Sequence, residues 1–296
     1  MTTVVRACLI DVYDTILTSL FVPRVAALVE PLGIGLDDWL AEWDTMREDR
    51  DRGKVTVAES FERTLRGLGR DPGPDLVADL TRRDVEYTRS HVRLCDDTVP
   101  FLTWLRSRGV LTALVSNCAD TTRAQLDYLG VIPLVDAVVL SCEVGSIKPY
   151  PEIYATALEE LGVAAVDAVF IDDQPTFCVG AQAVGVRPIQ IARGEPSGYA
   201  SRWDFPVVRT LTEAQPLLLA GCGRLGACRL AQLFPGGTTP RTPRGASDRE
   251  AIVSDAQWSP RGTPGPSRRR SRTWWSSGAG SRASRRPSTS RTTRCG

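Results

Sequence analysis

Four short segments of this chain carry side chains that could do chemistry together. They are DVYDT (11–15), SN (116–117), KPYPEIY (148–154) and DD (172–173). Asp11 closes the apolar run CLI, so its carboxylate stands at the tip of an expected strand, a place from which a nucleophile can attack. The position two residues later, where a second acid would serve acid–base chemistry, holds Tyr13. That pair leaves three chemistries open: phosphoryl transfer, attack on carbon, or a site that has lost its reaction. Lys148 is one of only two lysines in the chain, the other being Lys54. The adjacent carboxylates Asp172 and Asp173 suit Mg²⁺, which takes one or two carboxylates together with waters and phosphate oxygens.

The elements that must position these groups follow from the hydrophobic pattern. VVRACLI (4–10) reads as a short buried strand. A helical block follows, from about Leu17 to Leu94. In it LDDWLAEWDTMREDRDRG spaces Trp39, Leu40, Trp43 and Met46 as on one helix face, and Thr56 with Glu59 forms a capping box. Trp39 and Trp43 read as cap core rather than as a substrate stack, and His91 as a structural or surface residue. Strands VLTALVS, DAVVLS, DAVFID, VRPIQIAR and FPVVRT then alternate with helices, which implies a parallel sheet covered by helices. In such sheets ligands bind at the carboxyl ends of the strands, where all four segments lie.

The order Asp, Ser, Lys-Pro, Asp-Asp, each at a strand end, resembles the haloacid dehalogenase superfamily of hydrolases over residues 4–215. The runs SCEVGSIKPYPEIYATALEELGV and AVFIDDQPTFCVGAQAVGVRPIQIAR are especially close to its pattern. The resemblance implies an α/β, Rossmann-like core (1–17 and 96–218) with an all-helical cap inserted after the first strand (18–95). It implies that Asp11 is the nucleophile, Thr15 supports its loop, Ser116, with Asn117 beside it, binds the transferring group, and Lys148 neutralises that group. Asp11, the backbone carbonyl of Tyr13, Asp172 and Asp173 would hold Mg²⁺. The physical chemistry agrees: a phosphate dianion repels a carboxylate nucleophile, so cations must shield its approach.

Tyr13 and the acidic pair point in different directions. Phosphatases of the superfamily usually carry an Asp at position 13, which protonates the leaving oxygen. The 2-haloacid dehalogenases carry Tyr, because halide leaves without a proton, but they keep Ser and Asn where this chain has Asp172 and Asp173. Two adjacent carboxylates without a cation are electrostatically costly. The expected function is therefore a Mg²⁺-dependent phosphatase of a small phosphorylated metabolite, a sugar phosphate in the narrower version, working through an aspartyl-phosphate. A metal-independent 2-haloacid dehalogenase is the alternative, and a non-catalytic binding module the second. The cap, which contributes Arg24, Arg47, Arg50, Arg52 and Lys54, should govern the substrate.

Composition removes other classes. The chain of 296 residues has eight cysteines, no CxxC pair and one histidine, so a zinc cluster is not expected. No basic-plus-apolar leader and no apolar run of membrane-spanning length stands in it, and free thiols fit a reducing cytoplasm. From Gly221 onward there are 15 Arg and 3 acids, whereas the rest carries 21 basic and 32 acidic residues. The stretch 219–296 reads as a disordered, dispensable tail. A basic arm for nucleic acid is the weaker reading, since basic composition alone is poor evidence.

Overall fold

The computed structural model describes residues 4–194 and 203–219. The expectation for the basic tail lies outside them, except that Leu219 ends a helix. Six strands make one parallel sheet in the order β3-β2-β1-β4-β5-β6. They are β1 (Ala7–Ile10), β2 (Leu111–Ser116), β3 (Ala137–Leu140), β4 (Ala168–Asp172), β5 (Arg187–Ile191) and β6 (Val207–Val208). β1 lies centrally between β2 and β4, buried on both faces, which is why its sequence is continuously apolar rather than alternating.

The pleat divides that apolar run between two cores. Cys8 and Ile10 pack with Phe101, Leu102 and Leu105 on one face, while Ala7 and Leu9 pack with Ile153, Tyr154 and Ala157 on the other. Chain order reverses direction across β1: β2 and β3 extend to one side, β4 to β6 to the other. The crevice at the carboxyl end of β1 and β4 is therefore the natural ligand site of this topology.

Between β1 and the rest of the sheet stand five helices, α1 (Phe21–Val29), α2 (Leu36–Asp44), α3 (Arg47–Asp51), α4 (Val57–Gly67) and α5 (Pro74–His91). They have their own apolar core, built on Trp39, Trp43, Phe61, Leu65 and Leu80. Trp39 and Trp43 stack at 6.2 Å and Phe61 lies 5.1 Å from Trp43, so both tryptophans are core side chains. The capping box forms: Thr56 Oγ1 accepts from Glu59 N at 3.1 Å, and Thr56 N donates to Glu59 Oε2 at 2.8 Å. The segment LDDWLAEWDTMREDRDRG is two helices rather than one. The Thr45 hydroxyl donates to the Glu42 carbonyl at 2.6 Å while its N–H bonds the same carbonyl, which tightens and ends α2.

The core helices are α6 (Thr98–Ser107), α7 (Thr122–Tyr128), α8 (Ser141–Val144), α9 (Pro151–Leu161), α10 (Pro175–Ala183) and α11 (Leu211–Leu219). α8 has no separate signal in the sequence. The two crossings between helical block and core run side by side: Leu17 bridges Leu94, Thr18 N donates to Arg93 O at 3.2 Å, and Cys95 N donates to Ile16 O at 2.9 Å. On the far side the block seats on α8. Gly53 has φ +71°, and a Cβ there would fall 1.9 Å from the Cys142 carbonyl oxygen, so only glycine fits this approach. Arg52 reinforces the seat by donating to Gly145 O at 3.0 Å.

Candidate active site

Register brings the first two acids together. Ile10 pairs with Ile171, so the next residues, Asp11 and Asp172, leave adjacent strands side by side, and Asp11 N donates to Ile171 O at 2.9 Å. Asp11 is 5% exposed and Asp172 fully buried. Two like charges so placed need a cation, and Lys148 supplies it: Nζ donates to Asp11 Oδ1 at 2.5 Å and to Asp172 Oδ2 at 2.7 Å. Burial alone would depress the lysine, but the attraction of Asp11 and Asp172 outweighs it and holds the ammonium above its ordinary value. The rings of Phe177 and Phe170 lie 4.9 and 5.4 Å from Nζ and add a cation–π component.

Lys148 is itself held at its backbone. Asn117 Nδ2 donates to Lys148 O at 2.9 Å, and Lys148 N donates to Asn117 Oδ1 at 2.7 Å. Asn117, placed by the sequence beside the group-binding Ser116, spends both ends of its amide on the backbone of the lysine loop. α10 closes the loop from behind, where a Cβ on Gly180 would come within 2.6 Å of the Pro149 carbonyl. Asn117→Ala removes both clamp bonds. It is expected to lower kcat on the order of 10- to 100-fold, as misplacing a catalytic group does. A steady-state assay with thermal unfolding alongside checks that the loss exceeds any fall in folded fraction.

Asp11, Asp172 and Asp173 form the acidic cluster, each offering an oxygen within 4.8 Å of the others. Burial raises Asp172 to about 7, despite the opposing attraction of Lys148. Burial, then Asp172 and Asp11, raise Asp173 well above the ordinary carboxylate range. Asp172 also fixes the turn into α10, its Oδ1 accepting from Gln174 N at 2.7 Å. Three hard oxygen donors under mutual repulsion fit a hard divalent cation such as Mg²⁺. Among the described residues Thr15 Oγ1 is buried without a hydrogen-bond partner, a further polar atom left at this end of β1.

The loop after Asp11 is tightly wound. Ile16 N and Leu17 N both donate to Val12 O, and Asp14 takes φ +56°, a left-handed conformation that Asp tolerates better than most residues. Asp14 Oδ1 accepts from Ser19 N at 2.9 Å, a bond within the loop. The Tyr13 hydroxyl is turned to α7, 2.9 Å from Thr122 Oγ1 and donating to Gln125 Oε1 at 3.1 Å. Burial pushes this phenol above its ordinary value, which makes it a weaker acid still. Ser116, the last residue of β2, is fully buried, its Oγ 3.4 Å from Asn117 O.

One anchor had no signal in the sequence. Arg193 Nε donates to Thr15 O at 2.8 Å, Arg193 Nη2 donates to Asp97 Oδ1 at 2.8 Å, and Asp97 Oδ2 accepts from Leu211 N at 2.8 Å. This chain of bonds ties the Asp11 loop to Asp97, the residue before α6, and to Leu211, the first residue of α11. Its members are far apart in sequence, and single Arg and Asp residues carry no spacing that would reveal them.

This site and sheet define a hydrolase. The family model for haloacid dehalogenase-like hydrolases matches residues 5–185, and the chain belongs to that family. A curated relative, the glyceraldehyde 3-phosphate phosphatase of Methanopyrus kandleri, is 30% identical over 69% of this chain and 91% of its own length. The solved structure of a HAD phosphatase from Thermococcus onnurineus superposes with TM-score 0.55 at 26% identity, covering 73% of this chain and 99% of that one. The L-2-haloacid dehalogenase of Xanthobacter autotrophicus shares the fold, with TM-score 0.54 at 23% identity over 72% of this chain and 98% of its own. Among the described residues no helix is long and apolar enough to cross a membrane.

Proposed function

We propose that this chain is a Mg²⁺-dependent phosphatase of a small phosphorylated metabolite. One observation carries the reading: Asp11, Asp172 and Asp173 converge within 4.8 Å while Lys148 bridges only two of them. A dehalogenase has no use for a third carboxylate there, whereas a metal site does. In this reading residues 18–95 are the cap and 1–17 with 96–218 the core.

Asp11 attacks phosphorus, taking the phosphoryl group on its carboxylate as the ester oxygen departs, and water then cleaves the aspartyl-phosphate. Lys148 offsets charge on the transferring group, and Ser116 with backbone N–H groups near the strand ends donates to its oxygens. Mg²⁺, when bound by Asp11, Asp172, Asp173 and the Tyr13 carbonyl, supplies further positive charge at the same oxygens. With Tyr13 turned to α7, proton delivery to the leaving oxygen falls to water or to a group from the cap.

The phosphatase-named relative supports a phosphate ester over a haloacid as substrate, and its named substrate, a triose phosphate, favours a small sugar phosphate.

The test is p-nitrophenyl phosphate hydrolysis with Mg²⁺ and with chelator, beside halide release from 2-chloropropionate. Phosphate release that falls at least about 100-fold on chelation is expected, as for loss of a charge-stabilising ion. Halide release indifferent to chelator would instead make Tyr13 the informative residue and the reaction an attack on carbon.

A further inference from the structure

Two thiols beside the site have no part in the chemistry above. Cys118 follows the Ser116–Asn117 pair, and Cys142 lies in α8, under the seat of Gly53. Both are free, and their Sγ atoms stand 3.9 Å apart. Their adjacency is built into the sheet. Ser116 is the register partner of Leu140, and each cysteine lies two residues beyond its strand end. The Ser141 hydroxyl holds the two loops together, accepting from Cys118 N at 2.9 Å and lying 3.4 Å from Cys118 O.

We propose that Cys118 and Cys142 are a reversible oxidation site, closing to a disulfide that unseats Lys148 and the cap together. Cys118 is buried, 4% exposed, while Cys142 is partly open to solvent, so Cys142 meets the oxidant first. The hydrogen bond from the Cys118 thiol holds the Cys142 thiol below its ordinary value, although burial opposes this. With a hydroperoxide as oxidant, the Cys142 sulfur attacks one oxygen, the O–O bond breaks, and a sulfenic acid forms with release of one molecule of water or alcohol. The Cys118 sulfur then attacks the sulfenic sulfur. The S–S bond forms, the S–O bond breaks, and the hydroxyl leaves as water with the Cys118 proton. A small dithiol returns two electrons and two protons.

The consequence follows from what each loop holds. Closing 3.9 Å to a bonded separation of about 2 Å pulls Cys118 and α8 together. The residue before Cys118 is the Asn117 that clamps the Lys148 backbone, and the Cys142 carbonyl is the surface against which Gly53 packs. A displacement of about an ångström at a catalytic group costs on the order of 100-fold.

The test treats the full chain with graded hydrogen peroxide. Trypsin cleaves after Arg123, between the two cysteines, and a glutamate-specific protease added with it cleaves after Glu143, which parts Cys142 from Cys178, so the Cys118–Cys142 bond appears as a linked peptide pair that dithiothreitol separates. That pair should accumulate ahead of any other, with hydrogen exchange in the 145–150 loop rising on oxidation and reversing on reduction. Hydrolysis of p-nitrophenyl phosphate should fall on the order of tenfold or more and recover with dithiothreitol, while Cys142→Ser keeps its untreated activity and resists peroxide. Absence of the linked pair, pairing of either thiol elsewhere, or equal peroxide sensitivity of Cys142→Ser would overturn the proposal. The linkage and exchange readings need no turnover, so they separate failure here from failure of the phosphatase assignment.

Discussion

Asp11→Asn is expected to lower phosphate release on the order of 10⁴-fold or more while leaving the protein folded. The amide keeps the shape of the carboxylate and an oxygen that can accept from Lys148, but it cannot hold a phosphoryl group as an acyl phosphate. Its effect on the fold runs the other way. Asp11 is among the charges that raise both Asp172 and Asp173, so neutralising it relieves repulsion in the cluster. The unfolding temperature should therefore hold or rise as activity disappears. Phosphate release and thermal unfolding on the same preparation check both halves. Retained turnover would place the nucleophile elsewhere, and a lowered unfolding temperature would make Asp11 chiefly structural.

Lys148→Met is expected to damage both activity and fold. Lys148 is 2% exposed and its ammonium bridges two carboxylates, so its loss strands buried charge. Removing one partner of such a buried arrangement costs about 3–5 kcal/mol, and activity should fall on the order of 10³-fold with the charge that screens the incoming phosphate. The stability loss also depends on pH in a defined sense. Asp172 titrates at about 7 in the folded protein against a carboxylate value of 3.8, so its contribution to stability is present at low pH and is lost as pH rises through the folded value. Lys148 is what holds that value down. Without it Asp172 moves higher, and the variant should fall further behind the wild type at pH 8 than at pH 6. Denaturant titrations at the two pH values measure this, and a deficit independent of pH would show that packing rather than charge is responsible.

The sequence alone determined the sheet class, the helical insertion after the first strand, the Thr56–Glu59 cap and the four segments that meet at the strand ends. Each is written locally: in runs of apolar residues, in a three-residue capping spacing, or in a side chain placed where a strand stops. Tyr13 was legible as the departure from a phosphatase pattern because that pattern is a short spacing too. Tertiary structure alone decided the contacts. Asn117 turns to the Lys148 backbone, the Tyr13 hydroxyl turns to α7, Arg193 reaches Thr15, and Cys118 lies beside Cys142. Those contacts join residues from 24 to 178 positions apart. Their partners are chosen by strand order and register, which depend on how every helix packs against the sheet. Lys148 shows the division most clearly. Its type and place before a helix mark it in the sequence, but only the register of β1 against β4 sets Asp11 beside Asp172 and makes a buried cation between them necessary.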